Sequence, residues 1–304
     1  MRPFGEPRRP RLEPIMVSRH RLTSKRAALL MTTPNRGNIL LLAALCLLLL
    51  TGGCGDPAPE RRTPRDLTFH TEDGAEIAAT FYPVSIPDES ATRPPGLILL
   101  HGLGGRRGHW DVFARRAQEA GFQSIAIDMR AHGDSTVGDD QPPRRQDFSR
   151  EHWLRVTQDI RGAKETLLEH GSDPHNLALV GASLGGTLAL SHAMDDWDFH
   201  ALVMVSPGLD YQGIDAEEAI VEYGNRPSLF VTSRGDSYST MSAQELKRIA
   251  PGQAEIREYR GTAHGTDLLA ASPQAVQQVL LWLSQIIGDE TVELPDRIPA
   301  GGAL

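Results

Sequence analysis

Short apolar runs alternate with amphipathic stretches through the central and C-terminal parts of the chain. Between the runs, apolar side chains recur at helical spacing, as in the stretch from Trp153 to Leu167. The runs are Leu97–Leu100, Ser124–Ile127, Leu177–Val180, Ala201–Val205, Ser228–Thr232 and Ala254–Tyr259. Near-continuous apolar strands that are separated by helices predict a parallel sheet covered by helices on both faces.

A β-hairpin is predicted upstream of these strands. Leu67–Thr71 and Glu76–Tyr82 flank the turn signal Asp73-Gly74. A hairpin followed by six parallel strands predicts an α/β fold with an eight-stranded, mostly parallel sheet. Only Tyr211–Arg226 separate the fourth of the six strand regions from the fifth, which is too short for a helical cap domain, so we expect an open site. We assign residues 66–288 to this domain and residues 289–304, a Pro/Gly-containing segment, to a flexible tail.

The N-terminal part carries an unbroken apolar run from Ile39 to Leu50. These 12 residues are too few to span a bilayer comfortably and match the core of a signal peptide. Arg36 precedes the run, and the small residues Thr51, Gly52 and Gly53 lead to Cys54. The segment resembles a bacterial lipoprotein signal, in which the chain is cut before the cysteine and its thiol is lipidated. Ordinary secretion and an uncleaved anchor are the alternatives.

The first 30 residues do not fit this signal. They are rich in Arg and Pro, whereas Met31, Arg36 and the apolar run make a compact signal peptide by themselves. We therefore expect translation to start at Met31, with Met16 as the alternative. Residues 1–53 are then an N-terminal extension and signal peptide, and residues 54–65 are a linker. The expected location is the bacterial cell envelope, with membrane contact through a lipid at Cys54.

Charge and cysteine content argue against nucleic-acid binding and against a structural zinc site. Residues 1–53 hold nine basic and two acidic side chains, so the remaining chain has 22 basic and 37 acidic ones and a formal charge of −15. A domain this acidic offers no electrostatic basis for nucleic-acid binding. The two cysteines, Cys46 and Cys54, form no zinc-binding pattern.

A glycine-framed serine follows the strand Leu177–Val180. The sequence Gly181-Ala182-Ser183-Leu184-Gly185-Gly186 leads from this strand into a helical pattern. A serine at the tip of a sharp strand-to-helix turn has strained backbone geometry, and side chains two residues away would collide with neighbouring elements. The pattern predicts Ser183 as a nucleophile. The alternative is a plain tight turn that exposes a serine.

A second glycine-rich turn, His101-Gly102-Leu103-Gly104-Gly105, follows the strand Leu97–Leu100. A strand, a glycine loop, a helix and a strand that ends in Asp128 also outline a dinucleotide site. That site requires a glycine at position 107, where this chain has Arg107. The turn is better interpreted as a loop whose backbone N–H groups face a ligand oxygen.

The turn after Ser124–Ile127 reads Asp128-Met129-Arg130-Ala131-His132-Gly133-Asp134-Ser135. Together with the two glycine turns, it resembles the α/β-hydrolase superfamily, near its esterase/lipase and serine-peptidase-like branch. That branch commonly has His-Gly-x-Gly, Asp-x-Arg-Gly-His-Gly-x-Ser and Gly-x-Ser-x-Gly after successive strands, and this chain has Ala131 where the second motif has glycine. We expect Asp128, Arg130 and His132 to brace the loops rather than to perform chemistry.

The resemblance implies a nucleophile, an acid and a histidine in that order along the chain. A serine hydroxyl needs a base, and the base needs an orienting acid. His264 lies in Gly261-Thr262-Ala263-His264-Gly265, after the last strand, and is the predicted base. Asp236, after Ser228–Thr232, is the predicted acid, with Asp210 as its rival. The oxyanion donors are then the backbone N–H groups of Leu103 and Leu184.

A serine at the elbow, where dehalogenases and epoxide hydrolases of this fold have aspartate, favours acyl transfer to water. We expect a serine hydrolase that cleaves a small-molecule carboxylic ester or thioester through an acyl-enzyme. No metal or organic cofactor is implied. A peptidase or amidase with the same residues, and a non-catalytic binding lipoprotein on a hydrolase scaffold, are the alternatives.

Overall fold

The structure of the protein, a computed structural model, describes residues 63–85 and 93–288. The strands are β1 (Arg65–His70), β2 (Glu76–Tyr82), β3 (Gly96–Leu100), β4 (Gln123–Ile127), β5 (Leu177–Ala182), β6 (Phe199–Val205), β7 (Asp210–Tyr211), β8 (Ile214–Asp215), β9 (Ser228–Ser233) and β10 (Ala254–Tyr259). The helices are α1 (Asp111–Glu119), α2 (Arg150–Leu154), α3 (Val156–Glu169), α4 (Leu184–Ala193), α5 (Ala216–Tyr223), α6 (Ser237–Ile249), α7 (Thr266–Ala271) and α8 (Pro273–Ile287). The predicted signal peptide, Cys54 and the predicted tail lie outside the described residues.

The described residues form one eight-stranded sheet in the order β1-β2-β4-β3-β5-β6-β9-β10. Strand β2 is antiparallel to both β1 and β4, whereas the other neighbours are parallel. The predicted hairpin and six parallel strands are therefore confirmed. Since β5 lies between β3 and β6, the turns after these three strands meet at one edge of the sheet, where ligand sites of such folds lie.

The central strands are apolar throughout because both faces of the sheet are covered. Successive side chains of a strand point to opposite faces. In β3, Ile98 and Leu100 join a core cluster that is closed by residues of α2 to α6. Leu97 and Leu99 join a second cluster, which is closed by residues of α1, α7 and α8. Burial of each such side chain stabilises the folded state by roughly 1.5–3 kcal/mol relative to exposure. The sheet is therefore firmly packed, and the strand ends that carry the site are held in place.

The turn after β4 is tied to the rest of the domain by Arg130, whose side chain is fully buried. Its Nη2 lies 2.6 Å from Asp159 Oδ1 on α3, and its Nη1 lies 2.6 Å from Asp73 Oδ2 in the turn between β1 and β2. Burial raises the pKa of Asp159 to about 6, although the charge and hydrogen bonds of Arg130 act in the opposite direction. Ala131 has a φ of 59°, the left-handed region that glycine enters more readily.

The segment between β6 and β9 contains only the two-stranded sheet of β7 and β8 and the eight-residue helix α5. The fold therefore has no large cap domain over this edge of the sheet within its described part. Among the described residues, no helix has both the length and the apolar character needed to cross a membrane.

Candidate active site

Ser183 occupies the turn between β5 and α4 with φ 52° and ψ −125°, a strained conformation for a residue other than glycine. Its backbone N–H donates to Val205 O of β6 over 2.8 Å. A Cβ on Gly181 would lie 2.4 Å from Gly185 O, and one on Gly185 would lie 2.3 Å from His101 O. Larger residues cannot fit at either position, so the glycines are what allow β5, α4 and β3 to approach closely enough to form this turn.

His264 connects Ser183 to a carboxylate. Its Nε2 lies 2.8 Å from Ser183 Oγ, and its Nδ1 lies 2.6 Å from Asp236 Oδ2. A carboxylate oxygen only accepts hydrogen bonds, so this pairing assigns the proton to Nδ1 and leaves the lone pair of Nε2 to accept from the serine hydroxyl. The arrangement can therefore take a proton from Ser183 while Asp236 stabilises the resulting imidazolium.

The loop that carries His264 is clamped on both sides of the histidine. The N–H of Gly265 donates to Ser206 Oγ over 2.8 Å, and Ser233 Oγ donates to Ala263 O over 2.6 Å. Ser206 follows β6 and Ser233 ends β9, so both clamps come from the sheet itself. The imidazole is therefore held in place before any ligand binds, which lowers the cost of reaching a reactive geometry.

Asp236 is the N-cap of α6, where its Oδ1 accepts from Ser239 N over 3.4 Å. Burial acts to raise the pKa of the Asp236 carboxyl, but the hydrogen bonds from His264 and Ser239 outweigh it and lower that pKa below its usual value. The rival Asp210 is exposed, and its Oδ1 accepts from Gly213 N over 2.8 Å. The structure thus brings Asp236, and not Asp210, to His264.

The glycine turn after β3 borders the serine. A Cβ on Gly102 would lie 3.2 Å from Ser183 Cβ, and the next residue, Leu103, is half exposed. Within residues 63–85 and 93–288, the backbone N–H groups of Leu103 and Leu184 make no hydrogen bond. Two neutral donors beside Ser183 therefore remain available to a ligand oxygen.

The histidine of this glycine turn, His101, is structural. Its Nδ1 lies 2.8 Å from Gly102 O, and its Nε2 accepts from Met129 N over 3.1 Å. Burial lowers the pKa of His101 to about 3, so the ring is neutral and braces the glycine turn against the turn after β4. Asp128 is also buried and accepts from the backbone N–H groups of Arg107 and Asp134.

Tyr211, which the sequence did not single out, also belongs to this site. The Ser183 and Ser239 hydroxyls lie near its phenol and act to lower the pKa of Tyr211. Burial acts more strongly and raises the pKa of Tyr211. No local motif marks this tyrosine, because only the tertiary arrangement brings β7 into contact with α4, the helix that follows Ser183.

Two proteins of known activity are similar to part of the chain. A 2-succinyl-6-hydroxy-2,4-cyclohexadiene-1-carboxylate synthase of Serratia proteamaculans (strain 568) is 38% identical over 104 residues, which are 33% of this chain and 32% of that protein. A proline iminopeptidase of Lactobacillus delbrueckii subsp. lactis is 31% identical over 110 residues, which are 36% of this chain and 34% of that protein. The chain thus matches about a third of the length of each relative.

A solved structure and a family model each match a longer part of the chain than these two relatives do. An esterase of Pyrococcus furiosus superposes with a TM-score of 0.57 at 17% identity, which covers 77% of this chain and 96% of that one. The model of the alpha/beta hydrolase family matches residues 97–297, which is about two thirds of the sequence and includes Ser183 and His264. The chain therefore belongs to the alpha/beta hydrolase family.

Proposed function

We propose that the protein is a serine hydrolase that cleaves carboxylic esters or thioesters through an acyl-enzyme, in the esterase/lipase and serine-peptidase-like branch of its family. The observation that carries the proposal is the continuous hydrogen-bonded series from Asp236 through His264 to Ser183. The backbone N–H groups of Leu103 and Leu184, which have no acceptor among the described residues, support it, because such donors stabilise a developing oxyanion by about 3 kcal/mol each.

In the proposed mechanism, Ser183 Oγ attacks the acyl carbon while its proton passes to His264 Nε2. The carbonyl oxygen becomes an oxyanion that the N–H groups of Leu103 and Leu184 stabilise. The tetrahedral intermediate collapses, the bond to the leaving group breaks, and His264 returns the proton to the leaving oxygen or sulfur. Water then attacks the acyl-enzyme with His264 again as the base, and the carboxylic acid and free Ser183 are released.

A substrate panel tests the reaction class. We expect the purified protein to hydrolyse p-nitrophenyl acetate and butyrate with a kcat/KM about tenfold or more above that for the palmitate. The reason is that no cap domain within the described residues covers the site with an apolar surface for a long chain. Release of p-nitrophenolate is followed by absorbance, with matched thioesters and p-nitroanilides in parallel.

The same panel separates the alternatives. Preference for the anilides would favour a peptidase or amidase, the class to which the partial likeness to a proline iminopeptidase points. Absence of turnover on every ester, thioester and anilide would instead favour a binding lipoprotein on a hydrolase scaffold. Either result would contradict the proposed esterase.

We also propose that the protein is exported to the bacterial cell envelope and anchored by a lipid on Cys54. The support is the sequence from Arg36 to Cys54 alone. We expect the protein made in bacteria to partition into detergent and to incorporate labelled fatty acid, and Cys54→Ser to lose both properties. Cys46→Ala, in the apolar run, is the matched control and keeps them. Unchanged partitioning of Cys54→Ser would argue against the anchor.

A further inference from the structure

Arg145 is a half-buried arginine whose guanidinium has no partner among the described residues. The other arginines that are buried or half-buried in this part of the chain form ion pairs or donate to backbone carbonyls; they are Arg107, Arg130, Arg155, Arg226 and Arg257. Arg145 makes neither kind of contact there. A partner normally offsets the cost of removing a charge from water, so the N–H donors of this guanidinium are available to a ligand.

The carboxylates near Arg145 along the chain and in the turn after β4 belong to other arginines. Asp147 accepts from Arg144 Nε over 3.0 Å, and Arg144 Nη2 lies 2.9 Å from the same oxygen. Asp128 and Asp134 both pair with Arg107. Arg145 is therefore a local positive charge, although residues 54–304 carry a formal charge of −15.

The loop that carries Arg145 is tied to the domain on both sides of this residue. Upstream, Gln141 Oε1 accepts from Arg130 Nη1 over 3.1 Å, which joins the loop to the buried guanidinium. Downstream, the Phe148 ring meets buried Trp153 of α2 edge to face, with centroids 5.1 Å apart. Between them, Phe148 N donates to Arg145 O over 3.2 Å, at the end of a short 3-10 helix. The backbone at Arg145 is thus held in place.

The Arg145 side chain reaches the glycine turn that borders Ser183. A Cβ on Gly104 would lie 3.6 Å from Arg145 Nη2, so the guanidinium is next to this turn. Gly105 N donates to Gly102 O over 2.9 Å, and Gly104 has a φ of 75°, as in a tight four-residue turn. Gly102, its first residue, is the one whose added Cβ would lie 3.2 Å from Ser183 Cβ. The guanidinium and the serine are therefore neighbours of the same four-residue turn.

The two histidine rings on this side of the site are neutral. The rings of His101 and His132 have centroids 4.9 Å apart. Burial lowers the pKa of both, and the nearby charge of Arg145 also acts to lower the pKa of His132. Neither ring is protonated at neutral pH, so neither competes with Arg145 for an anion.

The order of the strands defines which part of an ester faces Arg145. Strand β5, which leads to Ser183, has β3 and β4 on one side and β6, β9 and β10 on the other. Arg145 follows β4, whereas His264 follows β10. A leaving group must meet His264 Nε2 to receive its proton, so it lies on the side away from Arg145. The acyl part is then the part that faces the guanidinium.

We propose that Arg145 binds a carboxylate in the acyl part of the substrate, so that the protein prefers half-esters of dicarboxylic acids. The inference rests on the proposed acyl transfer at Ser183. A guanidinium presents two parallel N–H donors that match the two oxygens of a carboxylate. The ion pair forms when the substrate binds and persists through the reaction. It therefore lowers KM more than it raises kcat.

The test compares Arg145→Gln with wild type on two series of methyl esters. The half-esters are monomethyl succinate, glutarate and adipate, and their neutral counterparts of equal chain length are methyl butyrate, valerate and hexanoate. We expect kcat/KM of the preferred half-ester to fall about tenfold to hundredfold, mostly through KM, which is the range of a hydrogen bond to a charged group. On the neutral esters we expect a change of no more than about threefold. The released acid is titrated at constant pH.

Arg248→Gln is the matched control, because it removes the same charge at the far end of α6. Arg248 is exposed in the last turn of this helix, whose N-cap is Asp236, and it pairs with Glu245. Twelve residues of helix place roughly 18 Å between it and Asp236. We expect both series of esters to be hydrolysed as by wild type.

Two results for Arg145→Gln would overturn the role of Arg145: equal losses on both series, which indicate a packing role only, or no loss on either. A preference of the wild type for 4-acetoxybenzoate over phenyl acetate, without a preference for the half-esters, would contradict the assignment of the carboxylate to the acyl part. Arg145→Lys keeps the charge but loses the paired donors, so it should lose less than Arg145→Gln. Should Arg145→Gln fail to fold, this second variant carries the same comparison.

Calorimetric titration with glutarate tests the carboxylate contact without turnover. Wild type should bind glutarate about tenfold or more tightly than Arg145→Gln, and equal affinities would contradict the contact. Absence of turnover on every ester, charged or neutral, would instead contradict the proposed hydrolase. The two proposals therefore fail in different measurements.

Discussion

Replacing Ser183 by alanine is expected to abolish labelling by a fluorophosphonate and to lower kcat on p-nitrophenyl acetate by about 10⁶-fold, as loss of the nucleophile does in a serine protease. Ser183 Oγ is the atom that lies 2.8 Å from His264 Nε2, so the variant has no oxygen to form the acyl-enzyme or the phosphonyl adduct. Labelling is measured on a gel, and kcat by release of p-nitrophenolate.

Ser242→Ala is the matched control for this variant. The Ser242 hydroxyl is buried in α6 and has no hydrogen-bond partner among the residues that the structure describes, so its removal leaves none of them unsatisfied. We expect Ser242→Ala to be labelled like wild type and to keep its activity. If Ser183→Ala were labelled as strongly as Ser242→Ala, the proposed nucleophile would be wrong.

The second large effect is expected for Asp236→Asn, which should lower kcat on an activated ester by about 10⁴-fold, or roughly 5 kcal/mol of barrier, while the protein folds normally. Asparagine keeps the shape of the side chain but removes the charge that stabilises the imidazolium. It also offers His264 a donor, which favours the wrong tautomer. Steady-state kinetics give kcat, and circular dichroism reports the fold.

Asp210→Asn is the control for the acid. Its side-chain oxygen can still accept from Gly213 N, so the hairpin of β7 and β8 persists and we expect a loss of no more than about tenfold. If Asp210→Asn were inactive and Asp236→Asn were active, the acid of the site would be Asp210 and not Asp236. It would leave the roles proposed for Ser183 and His264 intact.

The pH dependence of the activity is an independent test of the proposed pair of Asp236 and His264. The pKa of Asp236 is lowered, so its carboxylate remains ionised in mildly acidic solution and its effect on His264 persists there. We expect the activity of the wild type to fall at acid pH because a protonated imidazole cannot accept the serine proton. An activity that does not fall at any acid pH at which the protein stays folded would argue against a histidine base.

The sheet was predictable because each central strand is buried on both faces. Such burial requires an apolar run, and the predicted strand Leu97–Leu100 makes up all but the first residue of β3. Other strands begin earlier or end later than the run indicates, as β5 does when it continues to Ala182. The order of the strands was not predictable in the same way. The pairing of β2 with β4 depends on contacts between distant segments, which periodicity does not report.

The candidate residues around Ser183 were predictable because turns at strand ends carry local patterns. Glycines mark the turns near Ser183, and His264 follows the last strand within a short Gly-flanked segment. Tyr211 has no such mark. Gln212 adopts a left-handed conformation that the sequence gives no reason to expect, so the turn of β7 and β8 and the direction of the Tyr211 ring emerge only in three dimensions.

The buried Arg130 has a consequence for where the folding unit begins. The family model starts at residue 97, yet one of the two carboxylates that face the Arg130 guanidinium, Asp73, lies upstream in the first hairpin. Without that hairpin the guanidinium would retain one of its two carboxylate partners, Asp159, and β4 would lose its antiparallel neighbour. The hydrogen bonds from Arg130 to Asp73 would be lost, and a hydrogen bond to a charged group contributes about 1.5–3 kcal/mol, a large part of the stability of a typical domain. The first two strands are therefore an integral part of the folded hydrolase domain.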